Sequence, residues 1–424
     1  MRRPSASCAS WGSSLQPEPA AAPAPDFSPW VRRSALPVTT FVQAASSAAV
    51  IGPTVVAPLL LQRLHLSAAA VGLFVALVYL GAMAATQIAA FAVRRWGPIR
   101  ASQVALLVSA AGVLLLAAPG PAAWPVAALG ALFVGLGYGP ITPASSQMLS
   151  RTTDPRHYSL VFSIKQTGVP LGGVIAGLMV PPLVLWGGAV GALWGIAALC
   201  VLAAVGALPL APEIDRGHDR AAPWPTPGQM LAPVRFVATH AVLRAVALCS
   251  FVFSMVQVSF TSYLVSFLTA DLHWTLAAAG AALAASQVAG VISRIVWGFV
   301  SDRLLGPRRM LLLLALGMAA CALLMPLLAP ATPALLVLVL LCAFGATAVG
   351  WNGVYLATVA RVAPSGQAGT ATAGTLFFTF FGVVIGPPIF GTAGFALGAV
   401  GTAFAVLALP LALGVWMLAR ARWS

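Results

Sequence analysis

Apolar stretches about the length of a membrane crossing recur along the 424-residue chain, each closed off by a short cluster of Pro, Gly or Arg. A helix rises ~1.5 Å per residue, so about 20 apolar residues cross the ~30 Å hydrocarbon core of a bilayer. The pattern predicts twelve segments, near residues 37–61, 68–91, 101–118, 125–148, 159–181, 189–209, 241–267, 275–300, 310–329, 334–359, 369–390 and 397–419. One connection, between the sixth and seventh, is long and polar: APEIDRGHDRAAPWPTPGQM, with Glu213, Asp215, Asp219, Arg216 and Arg220. The expected fold is an all-α integral membrane protein with twelve transmembrane helices in two pseudo-symmetric six-helix halves. Its predicted parts are a disordered cytoplasmic tail (1–36), an N-terminal bundle (37–209), a cytoplasmic central loop (210–240), a C-terminal bundle (241–419) and a cytoplasmic C-terminus (420–424).

Composition agrees. The chain is 60% hydrophobic and only 7% charged, where a soluble domain carries roughly 25% charged residues. Its net charge of +14 would suggest nucleic acid in a soluble protein, but the positions of the charges exclude that reading. With the tail placed inside, nineteen of the 22 basic residues fall on cytoplasmic segments and one, Arg63, on the opposite side. This is the positive-inside asymmetry of a correctly threaded multi-pass protein. Two cations, Lys165 and Arg294, remain within apolar segments, and Lys165 is the only lysine in the chain. The five cysteines form no paired framework and no CxxC, so neither a disulfide nor a metal site is indicated, and no cofactor is expected. The first 36 residues are rich in Pro, Ala and Ser and lack the apolar stretch of a secretory leader.

The halves repeat. LHLSAAAVG (64–72) and LHWTLAAAG (272–280) are offset by 208 residues. Carried forward, the offset sets Tyr79 on Gln287, Thr86 on Arg294, Ala90 on Gly298 and Arg95 on Arg303; after one inserted residue, GPIR (97–100) meets GPRR (306–309). Repeated halves of this kind point to a transporter with its site at the repeat interface. GFVSDRLLGPRR (298–309) resembles the Gly-x-x-x-Asp-Arg-…-Gly-x-Arg-Arg loop of the major facilitator superfamily. The first copy, AFAVRRWGPIR (90–100), departs from that pattern, with Ala90 for the glycine and Arg94 for the aspartate. GVPLGG (168–173) and GVVIGPPIFG (382–391) are similar to the family's kinked fifth and eleventh helices. The resemblance implies the major facilitator fold, alternating access, and a gating latch at Asp302, Arg303, Arg308, Arg309, Arg94 and Arg95.

All eight acids, Glu18, Asp26, Asp154, Glu213, Asp215, Asp219, Asp271 and Asp302, lie outside the middle of any segment. An embedded Lys or Arg costs at least ~2.5–3.5 kcal/mol on insertion scales, so two without an embedded acid need a function. Helical spacing puts Gln287, Gly290, Gly298 and Ser301 on the face of Arg294, and Gly168, Gly172 and Ala176 on that of Lys165. An arginine four residues before the loop glycine is similar to the eighth helix of monocarboxylate and oxalate–formate carriers, where it meets the substrate carboxylate. In that fold the fifth and eighth helices face each other, which would make Lys165 and Arg294 a two-sided clamp for an anion. Snorkelling or bracing remains the alternative for each. Gln43, Tyr79, Tyr138, Gln257, Tyr263, Trp351 and Asn352 are further candidate lining residues, with helix glue as the alternative. His65 and His273, at the outer ends of the first and seventh segments, read as capping or surface residues.

The leading expectation is therefore a secondary transporter of a small, monocarboxylate-like organic anion, with the lipid bilayer as surroundings and a proton or counter-anion as coupled ion. Its expected location is a bacterial inner membrane, with both termini cytoplasmic. A carrier or exporter of a neutral solute or drug is the alternative. A nitrate porter would place a second arginine where Thr86 stands. A membrane enzyme lacks clustered catalytic groups, and a non-transporting receptor or sensor lacks an output domain.

Overall fold

The computed structural model describes residues 27–64, 67, 69–117, 124–153, 158–216, 218, 221, 226–364 and 368–420. Within these all regular structure is helical. The first half comprises α1 (Pro29–Val55), α2 (Ala57–Leu64), α3 (Ala69–Trp96), α4 (Pro98–Leu115), α5 (Trp124–Tyr138), α6 (Ile141–Thr152), α7 (Tyr158–Gln166), α8 (Gly168–Ala207) and α9 (Ala211–Ile214). A helix in the connection, α10 (Pro227–Thr239), leads into the second half. That half comprises α11 (Ala241–Ala270), α12 (Leu276–Val300), α13 (Gly306–Leu324), α14 (Ala334–Ala348), α15 (Asn352–Val362), α16 (Ala368–Leu397), α17 (Val400–Val406) and α18 (Ala408–Arg420).

Among the described residues ten stretches are long and apolar enough to cross a membrane, and two of them, 51 and 52 residues long, have the length of two crossings each. The first of these bends at Gly188, whose φ of 63° suits glycine, and the second turns through Ser301–Leu305 to Gly306 at φ 75°. The result is the twelve-span arrangement, with Phe27 and Arg420, the ends of the described chain, on one face.

Two expected boundaries are corrected. Residues 29–36 are not tail but the first turns of α1. Ser28 caps that helix, accepting from the Val31 N–H at 3.3 Å, and Pro29 supplies a φ already suited to the first turn. Glu213 holds the cap in place, accepting from the Ser28 N–H and hydroxyl at 2.9 Å each. The 210–240 connection is not wholly loop, because α9 and α10 lie within it. Thr226 and Pro227 start α10, the Gln229 side chain accepting from the Thr226 N–H at 2.9 Å. The rest of the tail, 1–26, together with His65, Asp154, Asp219 and Arg220, lies outside the described residues.

The halves meet along two antiparallel seams, α3 against α16 and α8 against α12. On the first, Gly72 lies against the Pro387 carbonyl, and a Cβ on Gly391 would stand 3.1 Å from the Ala69 Cα. On the second, Gly177 and Gly280 approach backbone to backbone, and a Cβ on Gly173 would stand 2.8 Å from Gln287 Cγ. Without lipid-driven hydrophobic attraction between helices, such close approach supplies the packing energy.

The sequence repeat reappears in the hydrogen bonding. Each half breaks its fourth span, α5 to α6 at Gly139–Pro140 and α14 to α15 at Val349–Trp351, freeing carbonyls from the helical ladder. Thr86 donates to the Gly139 carbonyl at 3.3 Å, and its repeat mate Arg294 donates to the Val349 carbonyl at 3.2 Å. Thr86 and Arg294, 208 residues apart, thus do the same job in each half.

Candidate substrate site

Lys165 lies in the last turn of α7, where Thr167 interrupts the fifth span before α8 begins. It is 1% exposed, so it does not reach the headgroups. Its Nζ donates to the Oε1 of adjacent Gln166 at 3.4 Å, a long bond, and has no carboxylate partner among the described residues. The small residues that follow let α1 approach: a Cβ on Gly168 would stand 2.8 Å from Gln43 Cβ.

Arg294 comes to the same break from the other half. Its Nη1 donates to the Gln166 carbonyl at 2.8 Å and its Nε to the Val349 carbonyl at 3.2 Å. Gln166 ends α7 and Val349 caps the C-terminus of α14. The guanidinium therefore rests on the negative ends of two helices, where a cation gains ~0.3–1 kcal/mol per end. It neither snorkels nor braces the Asp302 loop. The α8–α12 seam runs antiparallel from Gly177–Gly280 to Gly173–Gln287, and the Gln166–Arg294 bond continues it beyond the start of α8. The Gln166 bond sets Arg294 across the seam from the α7–α8 break, and Lys165 stands in the last helical turn before that break.

Around this pair lie Tyr138, close enough to Arg294 to interact with its charge, and Tyr79. The two rings stand edge to face with centroids 5.9 Å apart, and Tyr79 also meets Phe380 across the α3–α16 seam at 6.0 Å. Gln43 is fully buried; its Oε1 accepts from the Thr142 hydroxyl at 3.1 Å while its Nε2 has no partner. One turn on, the buried Ser46 hydroxyl is also unpartnered. Gln287 is 2% exposed on the seam beside Gly173.

The other candidates are placed differently. Gln257 Oε1 accepts from Trp351 Nε1 at 2.8 Å and from Asn352 Nδ2 at 3.3 Å, tying α11 to the α14–α15 break. This is helix glue within the second half. The Tyr263 hydroxyl donates to the Pro387 carbonyl at 3.2 Å, beside the Gly72 contact and toward the end of the seam away from the termini. It is not grouped with Lys165. His273 occupies the α11–α12 turn at φ 58°. Sequence reading missed Ser46, Thr142 and the carbonyls of Gln166 and Val349. Ser46 follows Gln43 at helical spacing and was findable; a carbonyl freed by a helix break leaves no side-chain signal.

The residues expected to form a gating latch divide by half. Asp302 ion-pairs with Arg361 at 2.7 Å, and Arg308 donates to the Ala419 carbonyl on α18 at 2.6 Å. Arg303 stacks over Phe299 at 5.9 Å, and Arg309 is exposed. In the first half Arg95 stacks over Phe91 at 5.8 Å and Arg94 is exposed. There Asp215, at the end of the sixth span, caps α4 instead, accepting from the Ile99 and Arg100 N–H groups at 2.9 and 3.0 Å. Burial pushes the Asp215 carboxyl above the ordinary aspartate value, against the pull of those two donors.

Two six-helix halves, a seam between them and a buried polar cluster on that seam define a membrane carrier. Residues 38–387 match the Major Facilitator Superfamily model, and the chain belongs to that family. A sequence search of curated proteins returns no match. Among solved structures, it is similar to the nucleoside transporter NupG (TM-score 0.75, 14% identity, 92% of this chain and 99% of that one). It is also similar to a D-xylose–proton symporter (0.71, 13%, 92% and 97%). A third match is a bacterial homologue of the human lysosomal transporter Spinster, in an inward-facing and occupied conformation (0.69, 18%, 93% and 96%). At these identities the likeness shows the fold alone.

Proposed function

We propose that this carrier moves a small organic anion of the monocarboxylate type by alternating access, binding it between Lys165 and Arg294. The observation that supports the reading is the ammonium of Lys165, buried beside the α7–α8 break with no carboxylate to balance it among the described residues. In low dielectric an isolated charge is costly, and two like charges near each other add repulsion. An anion at the seam offsets both. Arg294 already grips a carbonyl from each half and is the fixed wall of the site; Lys165, with one long bond, is the group free to turn toward the cargo. Tyr138, Gln43 and Ser46 supply neutral donors from the first half. Because the ligand bonds to both halves only when they close on it, its binding differs between conformations, which is what shifts the access equilibrium.

Reconstituted vesicles test this with lactate as the anion and glycerol as a neutral solute. Lys165→Gln should lower lactate uptake by at least roughly tenfold, the loss of one charge-assisted bond, and leave the protein folded. Uptake of glycerol rather than lactate, or undiminished lactate uptake by Lys165→Gln, would overturn the proposal in favour of a neutral-solute carrier.

A further inference from the structure

The two halves use the same loop with opposite charge. In the second half Asp302 pairs with Arg361, a residue in the last turn of α15. The repeat mate of Asp302 is Arg94, in the last turn of α3, and the arginine closing the equivalent helix α6 is Arg151. The first half therefore presents two cations where the second has an ion pair. Both line one cavity of about 140 Å³, along with Arg216 and Asp215.

Asp215 makes no ion pair with either among the described residues. It is 5% exposed, and its two carboxylate oxygens accept from backbone N–H groups of α4 instead. Arg151 is held by the Ile214 carbonyl at 3.0 Å and by the Phe27 ring at 5.6 Å, which fixes its guanidinium in the wall of the cavity. Arg216 turns its Nε to the Pro212 carbonyl at 2.8 Å. Arg94 makes no hydrogen bond or ion pair among the described residues. Arg94 stands in the last turn of α3, where the helix's long apolar run gives way to the adjacent basic pair Arg94 and Arg95, the pattern of a helix end at the membrane surface. That is headgroup level, where the abundant anion is a phosphoryl group.

We infer that this cavity binds a phosphoryl anion, from a phospholipid headgroup or free phosphate, held between Arg94 and Arg151 as the first half's replacement for Asp302. Guanidinium forks match phosphoryl oxygens in pairs, and an anion here straps α3 to α6 as Asp302 straps the second-half loop to α15. The site is separate from the seam and does not depend on the identity of the cargo.

Thermal melting of the purified full-length protein, in phosphate-free detergent, tests it with three probes: potassium phosphate, phosphatidylglycerol, and diacylglycerol of the same chain length. Saturable stabilisation by phosphatidylglycerol alone assigns a headgroup, and by phosphate a free ion; diacylglycerol should have no effect. Arg94→Asp, which offers Arg151 an internal carboxylate, should weaken the response at least roughly tenfold; Arg94→Gln should weaken it less. Arg94 is exposed and unbonded, so both variants are expected to fold. No response in the wild type, a response equal in Arg94→Asp, or one matched by diacylglycerol would overturn the inference.

Discussion

At the scale of single residues the two embedded cations are not equivalent. Arg294 is satisfied by two carbonyls at helix ends, whereas Lys165 is buried with only a long bond to its neighbour. A guanidinium can meet both carbonyls because its donors diverge from one plane, while an ammonium is a point charge. Arg294→Lys should therefore keep the charge and lose one of the two bridges. Since a hydrogen bond to a charged group contributes about 1.5–3 kcal/mol, the expected result is a lower melting temperature and weaker lactate uptake, with some anion transport retained. Wild-type melting in Arg294→Lys would show that the bridge between Gln166 and Val349 carries no stability. The presence of these two residues was legible in sequence, because a basic side chain inside an apolar run is costly and conspicuous. Their bonding was not: the partners of Arg294 are backbone carbonyls, which every residue has.

Elements were legible where a periodic pattern and a repeat reinforced each other. The twelve spans and the pairing of the two halves followed from apolar length and the 208-residue offset, and the shared bonds of Thr86 and Arg294 to broken fourth spans give that offset a physical meaning. The start of α1 and the existence of α10 were missed because both begin at prolines in polar, proline-rich sequence, and each depends on a cap: Ser28 clamped by Glu213 from 185 residues away, and Thr226 by Gln229. The candidate site divided for a similar reason. Gln257, Trp351 and Asn352 satisfy one another, which residue type alone could not reveal. The α8–α12 seam is the element on which the site depends, and its register rests on the contact of Gly177 with Gly280. Gly280→Val should force the helices apart above Lys165 and Arg294 by a side chain's width. Vesicle uptake is expected to fall while the halves still fold, since the change touches neither bundle's interior. Normal uptake would mean that this seam does not have to close.

For the whole molecule, alternating access requires that these seams part. The described close approaches of α3 to α16, and of Gly177 to Gly280, lie toward the end of the bundle away from the termini, while the ion pair of Asp302 and Arg361 and the Arg94 cavity lie at the terminus-bearing end. Exposed ion pairs contribute only ~0–1 kcal/mol, so the Asp302–Arg361 pair is too weak to fix one conformation by itself, and on the inference above the first half's cations take an external anion in place of that pair. The parting of the far end is directly testable. A Cβ on Gly391 would lie 3.1 Å from the Ala69 Cα, which puts the two backbones within the span a disulfide bridges. The cysteines among the described residues, Cys200, Cys249, Cys321 and Cys342, are free, and three of them are buried. The double substitution Ala69→Cys with Gly391→Cys should therefore cross-link under mild oxidant. Cross-linked protein should still melt cooperatively but fail to transport, and reduction should restore uptake. Transport by the oxidised form would show that the α3–α16 seam stays shut through the cycle, and that movement is confined to the terminus-bearing end where the two latches differ in charge.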